Sequence, residues 1–217
     1  DKFKANYRQL MYRRYYIETN SIEKFQREFP TTPDEAFQTS NVSVFDTNKI
    51  VERLQHVIPP METKEIYDQL PDTLKPYINK NLFIYHLPKK GMRHYGGVDV
   101  ASGIKADYTA ISIFNADSEQ VASWRSNDIP VYKMAEIANS LLRYFNFAFT
   151  AVERNNVGLP FIERLFEHYG FQNLLKERIF DQKGRRRFQR GITTSRITKP
   201  ILIEDMKQAF ELNMILI

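Results

Sequence analysis

A chain of 217 residues with 31 Lys and Arg against 26 Asp and Glu carries a formal charge of +5 and contains no cysteine. The length suits one substantial domain plus an appendage, and the missing cysteine excludes disulfides, thiolate metal sites and cysteine nucleophiles. No apolar run approaches the roughly 18 residues that span a bilayer and no signal peptide precedes the first helix, so a soluble, intracellular protein is expected.

In chain order, Phe3, Tyr7, Leu10, Met11 and Ile17 recur at helical spacing among lysines and arginines, which predicts an amphipathic helix over 2–17. Residues 20–23 carry a capping-box pattern for a second short helix that stops before Pro30. Thr32-Pro33-Asp34-Glu35 repeats the device with proline in the first turn. The aromatic stripe of Tyr12, Tyr15, Tyr16, Phe25, Phe29 and Phe37 is read as packing rather than as a base-stacking platform. Asp46 or Thr47 caps a further helix reaching Val57. Prolines 59, 60, 71, 76 and 88 then mark a connecting region, in which only 82–87 reads as a strand.

Beyond residue 92 the pattern changes. Strands are predicted over 94–100, 108–114 and 120–126, then a helix over 131–145, a strand over 147–152 and a helix over 159–169. A strand over 175–180, a basic loop, a helix over 199–212 and an apolar run over 213–217 follow. Three strands in a meander and then alternating helix and strand make an α/β sheet of mixed direction. The expected division is a helical segment 1–58, a connecting region 59–92 and an α/β domain 93–217, whose last residues read as a sheet cut short.

Two strands end on acids, at Asp99 and at Glu153. Carboxylates at the mouth of a sheet offer hard oxygen ligands to a divalent cation. On neighbouring strands they would share a pair of Mg²⁺ or Mn²⁺ ions about 4 Å apart, as in phosphodiester hydrolysis. The other reading is a pair of ordinary solvated strand-end acids. Asp107, across the turn from Asp99, is either an added metal ligand or a turn residue. Asn155 and Asn156 read as helix caps. Two carboxylates are few for two metals, and of Glu163, Glu167, Asp181, Glu204 and Asp205 only Asp181 stands near an element end. Lys183, Arg185, Arg186, Arg187, Arg190, Arg196 and Lys199 crowd one stretch with no acid between them. That stretch is a loop facing a polyanion or a solvated surface.

Several motifs in order resemble one family. Phe25-Gln26-Arg27-Glu28-Phe29-Pro30-Thr31-Thr32-Pro33-Asp34-Glu35-Ala36-Phe37 is similar to the segment that closes an ATPase domain. Gly97-Val98-Asp99 with Asp107-Tyr108-Thr109-Ala110 looks like the first strands of a nuclease domain. Val152-Glu153-Arg154-Asn155-Asn156-Val157-Gly158 looks like its second acidic motif, and Gly191-Ile192-Thr193-Thr194-Ser195 with Lys199-Pro200 like the loop before its late helix. Together they resemble the large terminase subunit of tailed bacteriophages, over nearly the whole chain.

The resemblance implies an RNase H-like nuclease that cuts concatemeric double-stranded DNA with two divalent metals, Mg²⁺ or Mn²⁺. Asp99 and Glu153 would be catalytic carboxylates and metal ligands, and Asp107 an accessory ligand. Lys183, Arg185, Arg186, Arg187, Arg190, Arg196 and Lys199 would bind DNA, mainly through phosphates. It also implies a small terminase subunit and a portal protein as partners, a ring-forming parent, and work in the cytoplasm of the infected host, transiently at the procapsid portal. No residue matches the family's third catalytic aspartate, and no P-loop pattern G-x-x-x-x-G-K-[ST] is present in this chain. The alternatives are another RNase H-like enzyme such as a transposase or resolvase, and a DNA-binding or motor-coupling module without activity.

Overall fold

Strand residues whose alternate side chains are buried build the centre of the molecule: His94, Gly96 and Val98 point inward while Tyr95, Gly97 and Asp99 do not. The computed structural model describes residues 6–29, 44–101 and 107–217, and it divides at His56/Val57 into two compact units.

In the first unit, helix α1 (Tyr7–Thr19) begins at a reciprocal cap. The Asn6 side chain accepts from the Gln9 amide at 3.0 Å, and the Gln9 side chain accepts from the Asn6 amide at 2.8 Å. Helix α2 (Ile22–Glu28) is capped by Ser21, and helix α3 (Thr47–Leu54) by Asp46, which accepts from the Lys49 amide at 3.0 Å. The aromatic stripe is packing: Phe29 meets Tyr12 and Tyr16 edge-on with centroids 5.6 Å away, and Phe25 lies 5.4 Å from Phe29. The start of the first helix at residue 2, the capping pattern at 32–35 and Phe37 lie outside the described residues.

The second unit is an α/β fold, a mixed sheet with helices packed against it. Its mixed sheet takes the order β1-β4-β3-β2-β5, from β1 (Leu82–Ile84), β2 (His94–Asp99), β3 (Thr109–Asn115), β4 (Gln120–Ser126) and β5 (Phe149–Val152). Strands β2, β3 and β4 form an antiparallel meander. Short turns make that possible, whereas β5 lies parallel to β2 and needs a crossover. Between α3 and β1 lies the one-turn helix α4 (Thr63–Ile66), and α5 (Val131–Tyr144) supplies the crossover. The α5 face carrying Met134, Ile137, Ala138, Leu141 and Leu142 is fully buried with Trp124, Ile111 and Ile113.

Segment 59–92, read from its prolines as a connecting region, carries Ile66, Leu70, Leu74 and Ile78 into the same core. Its β1 pairs with β4, and Tyr77 sets its ring edge-on to Trp124 at 4.9 Å. Helix α6 (Gly158–Glu163) runs into a π-helical turn over Arg164–His168. The expected strand at 175–180 is β6 (Lys176–Phe180), and the expected basic loop is largely a second strand, β7 (Arg186–Arg190), paired antiparallel with it. Strand periodicity was hidden there because Phe188 is the one apolar residue of β7. Helix α7 (Thr198–Glu211) follows, and the terminal run bonds back through Leu216 to Ser118 and Gln120. No helix among the described residues is long and apolar enough to cross a membrane.

His94 is buried on β2 against the Phe145 ring, with no hydrogen-bond partner for Nδ1 among the described residues. Burial holds its pKa below the ordinary 6.5, so the folded state keeps the neutral ring while the unfolded chain takes up a proton. Stability is therefore full above about pH 6.5 and falls as pH drops towards the lowered value. In urea unfolding across that interval, His94→Phe is expected to flatten the loss; an unchanged slope would assign it to other groups.

Candidate functional site

The parallel register of β2 and β5 runs Tyr95 to Phe149, Gly96 to Thr150, Gly97 to Ala151 and Val98 to Val152. One further step sets Asp99 beside Glu153, whose amide donates to the Val98 carbonyl at 2.9 Å. Two acids from segments about fifty residues apart thus meet at the carboxyl ends of adjoining parallel strands. That rim is where open α/β sheets expose side chains without burying backbone.

The pairing perturbs both groups' surroundings. Burial first, then hydrogen bonding to Glu153 and repulsion from its charge, push the Asp99 carboxyl above its ordinary 3.8. Asp107 adds to the rise, and Lys199, in the first turn of α7, opposes it. Asp107 therefore stands near the pair, and the Ala101 amide donates to Thr109 Oγ1 at 3.0 Å.

Glu153 is held from its other side. Its Oε1 accepts from the Thr194 hydroxyl and from Asn155 Nδ2 at 3.1 Å, and Asn155 also donates to the Thr194 carbonyl at 2.8 Å. Residues 191–194 reach this position because Ile192 pairs with the end of β5: its amide donates to the Val152 carbonyl at 2.9 Å and its carbonyl accepts from the Arg154 amide at 2.7 Å. Gly191 makes the bend with φ +84°, where an added Cβ would fall 2.7 Å from the Val152 carbonyl oxygen. Gly158 is equally constrained, since its Cβ would fall 1.8 Å from the Glu153 carbonyl oxygen.

Asn155 was read from sequence as a helix cap. Helix α6 instead begins at Gly158 with no side-chain cap, and the amide is spent on Glu153 and Thr194. Thr194 was named in the sequence only as part of the Gly191–Ser195 motif. Its role as a donor depends on a contact across 41 positions that no local pattern shows.

The basic residues divide by environment. Asp181 accepts from Arg185 Nε at 2.9 Å and from Arg187 Nε at 3.4 Å. Hydrogen bonds from the Arg185 amide and its neighbours hold its carboxyl below the usual range. Arg190 lays its guanidinium over the Phe166 ring at 3.3 Å. Lys183, Arg186 and Arg196 have no ion pair among the described residues.

The donor set fits a hard divalent cation: two neighbouring carboxylates whose mutual repulsion a bound cation would relieve. Among the described residues no three Asp, Glu or His side chains converge as a ligand group.

No family model matches the chain, and a search of curated proteins likewise finds no match. Among solved structures, it is similar to the large terminase nuclease of thermophilic phage G20c with bound magnesium, at 14% identity and a TM-score of 0.47 over 60% of each chain. The cobalt-bound form of that nuclease matches at 14% identity and a TM-score of 0.48 over 62% of each chain. The Thermus phage P74-26 large terminase nuclease domain matches at 14% identity and 0.45, over 60% of this chain and 58% of that one. The similarity thus spans about 60% of the length of those nucleases.

Two outcomes are expected at the site. Because the Asp99 carboxyl is raised, folding is unpenalised below about pH 3.8 and loses stability as pH rises through the raised value. Asp99 lies on the exposed face of β2, where solvent screens the conflict. Asp99→Asn is therefore expected to raise the melting temperature only slightly at pH 7 in chelator, measured by calorimetry; a lower melting temperature would contradict the charge conflict. If Glu153 holds a divalent cation, Thr194→Val is expected to weaken Mn²⁺ binding by about 10–100-fold, the usual effect of losing a residue that orients a ligand. Isothermal titration reads it, and unchanged affinity would remove Thr194 from the site.

Proposed function

We propose that this chain carries a divalent-metal-dependent endonuclease site and acts on double-stranded DNA as the nuclease part of a phage packaging terminase. The observation that carries the reading is the Asp99–Glu153 pair at the carboxyl ends of two adjoining parallel strands of an RNase H-like sheet. The ordered motifs that resemble large terminase subunits supply the packaging context.

In this reading Asp99 and Glu153 hold Mg²⁺ or Mn²⁺, with Asp107 as an accessory ligand on the Asp99 side. A bound divalent cation supplies a water of lowered pKa and stabilises charge on the scissile phosphate. Thr194 and Asn155 both donate to Oε1 of Glu153 and so fix its carboxylate, leaving Oε2 outside that pair of bonds. Lys199 adds positive charge beside Asp99 and favours its ionised form. Lys183, Arg186 and Arg196 face the DNA backbone, where cations position a duplex without reading its sequence.

Residues 1–58 would belong to the end of the ATPase domain and 93–217 to the nuclease domain, whose core also takes in segment 59–92. The partners are then the small terminase subunit and the portal protein, in the host cytoplasm. One observation favours a second reading, a DNA-binding or motor-coupling module: no third Asp, Glu or His joins the pair among the described residues.

Nicking and linearisation of supercoiled plasmid with Mn²⁺ or Mg²⁺ tests both. The expected result is metal-dependent cutting that falls at least about 100-fold in Asp99→Ala and in Glu153→Ala, as removal of a group essential to the chemistry gives. DNA binding without cutting would select the module, and cutting that survives both substitutions would place the chemistry elsewhere.

A further inference from the structure

The register of the β6–β7 hairpin sorts its side chains onto two faces. Opposed residues share a face, so Lys176 with Arg190, Arg178 with Phe188 and Phe180 with Arg186 lie on one side. Glu177 with Gln189 and Ile179 with Arg187 lie on the other.

The second face is neutralised within the hairpin and its flanks. Glu177 accepts from Gln189 Nε2 at 3.0 Å and from the Thr193 amide at 3.2 Å, and Arg187 is bound to Asp181. The first face contains no acid. Lys176, Arg178 and Arg186 are exposed and have no ion pair among the described residues. Between them stand two aromatic rings, Phe180 at 65% and Phe188 at 63% exposure, on diagonal positions of the pairing. Arg190, at the foot of this face, is pinned on Phe166 and fixes the ribbon at its base.

Cations without an internal partner on one side of a two-stranded ribbon suit an outside polyanion, and exposed phenylalanines among them suit an apolar surface between its anionic groups. A nucleic-acid groove supplies both, with phosphates along its rims and base edges and base steps on its floor. The geometry points to this face of β6–β7 as a wedge that enters a groove of duplex DNA. Lys176, Arg178 and Arg186 contact phosphates, and Phe180 and Phe188 press against the bases, as apolar side chains do in proteins that pry base steps apart. The inference rests on the proposed action on double-stranded DNA, and it adds Lys176, Arg178, Phe180 and Phe188 as contacts. It assigns no contact to Arg185 and Arg187, which Asp181 holds on the other side.

Fluorescence anisotropy of the full chain on a labelled duplex of about twenty base pairs, in EDTA over a series of salt concentrations, separates the parts. Arg178→Ala with Arg186→Ala should weaken binding and reduce the salt slope by about 2, one counterion for each lost phosphate contact. Phe180→Ala with Phe188→Ala should weaken binding roughly tenfold or more while leaving the slope as it was, because stacking releases no counterion. Arg187→Ala should leave both unchanged. Circular dichroism melts identify any variant that has lost its fold. For such a variant Phe180→Leu with Phe188→Leu replaces the alanine pair, and it should lose affinity without a change of slope.

Equal effects of Arg178, Arg186 and Arg187 would overturn the face assignment. Phenylalanine variants that bind as tightly as the parent would overturn the wedge. Binding is measured without metal and independently of the Asp99–Glu153 pair. A plasmid that is not cut therefore counts against the nuclease and leaves the wedge standing, whereas a plasmid that is cut while the phenylalanine variants bind as tightly as the parent removes the wedge alone.

Discussion

The rest of the site depends on one backbone contact, the parallel pairing of β2 with β5, where the Glu153 amide meets the Val98 carbonyl. Each strand alone would place its acid in water. With the two side by side, the pKa of Asp99 is raised by burial first and then by its contact with Glu153. The fold tolerates this because the strands behind them are anchored in a core of Val98, Val152, Ile111 and the α5 face, which no rearrangement at the rim relieves. A local charge conflict held by a rigid scaffold is the usual physical mark of a site selected for something other than stability.

Glu153 is the more constrained of the two acids. Its backbone lies between β2 and the Ile192 segment, and its side chain is held by Thr194 and Asn155. Asp99 meets Glu153 through a hydrogen bond and charge, and Asp107 and Lys199 through charge. The asymmetry gives one fixed carboxylate and one that responds to its electrostatic surroundings.

Much of the sheet was legible in the sequence because its strands are short apolar runs bounded by turn residues, and the two acids stand where those runs stop. Two elements were not. Ile66, Leu70, Leu74 and Ile78 recur every fourth residue, yet Pro71 and Pro76 interrupt them, so the burial of segment 59–92 is a tertiary fact that local pattern does not carry. Strand β7 is almost wholly polar, and it forms because β6 supplies its hydrogen bonds, not because its own side chains alternate. At the site, the acids were readable and their supports were not. The Thr194 hydroxyl reaches Glu153 only after the chain has turned through the hairpin and bent at Gly191.

That route has a mechanical consequence. Only residues 191–193 separate the Arg190 anchor on Phe166 from the hydroxyl that steadies Glu153, and they are stitched to β5 through Ile192. The ribbon and the carboxylate are thus joined by a short run held at both ends. The Arg190 stack on Phe166 holds one end and the Ile192 pairing to β5 the other, and between them lies the Gly191 bend, which has no room for a side chain.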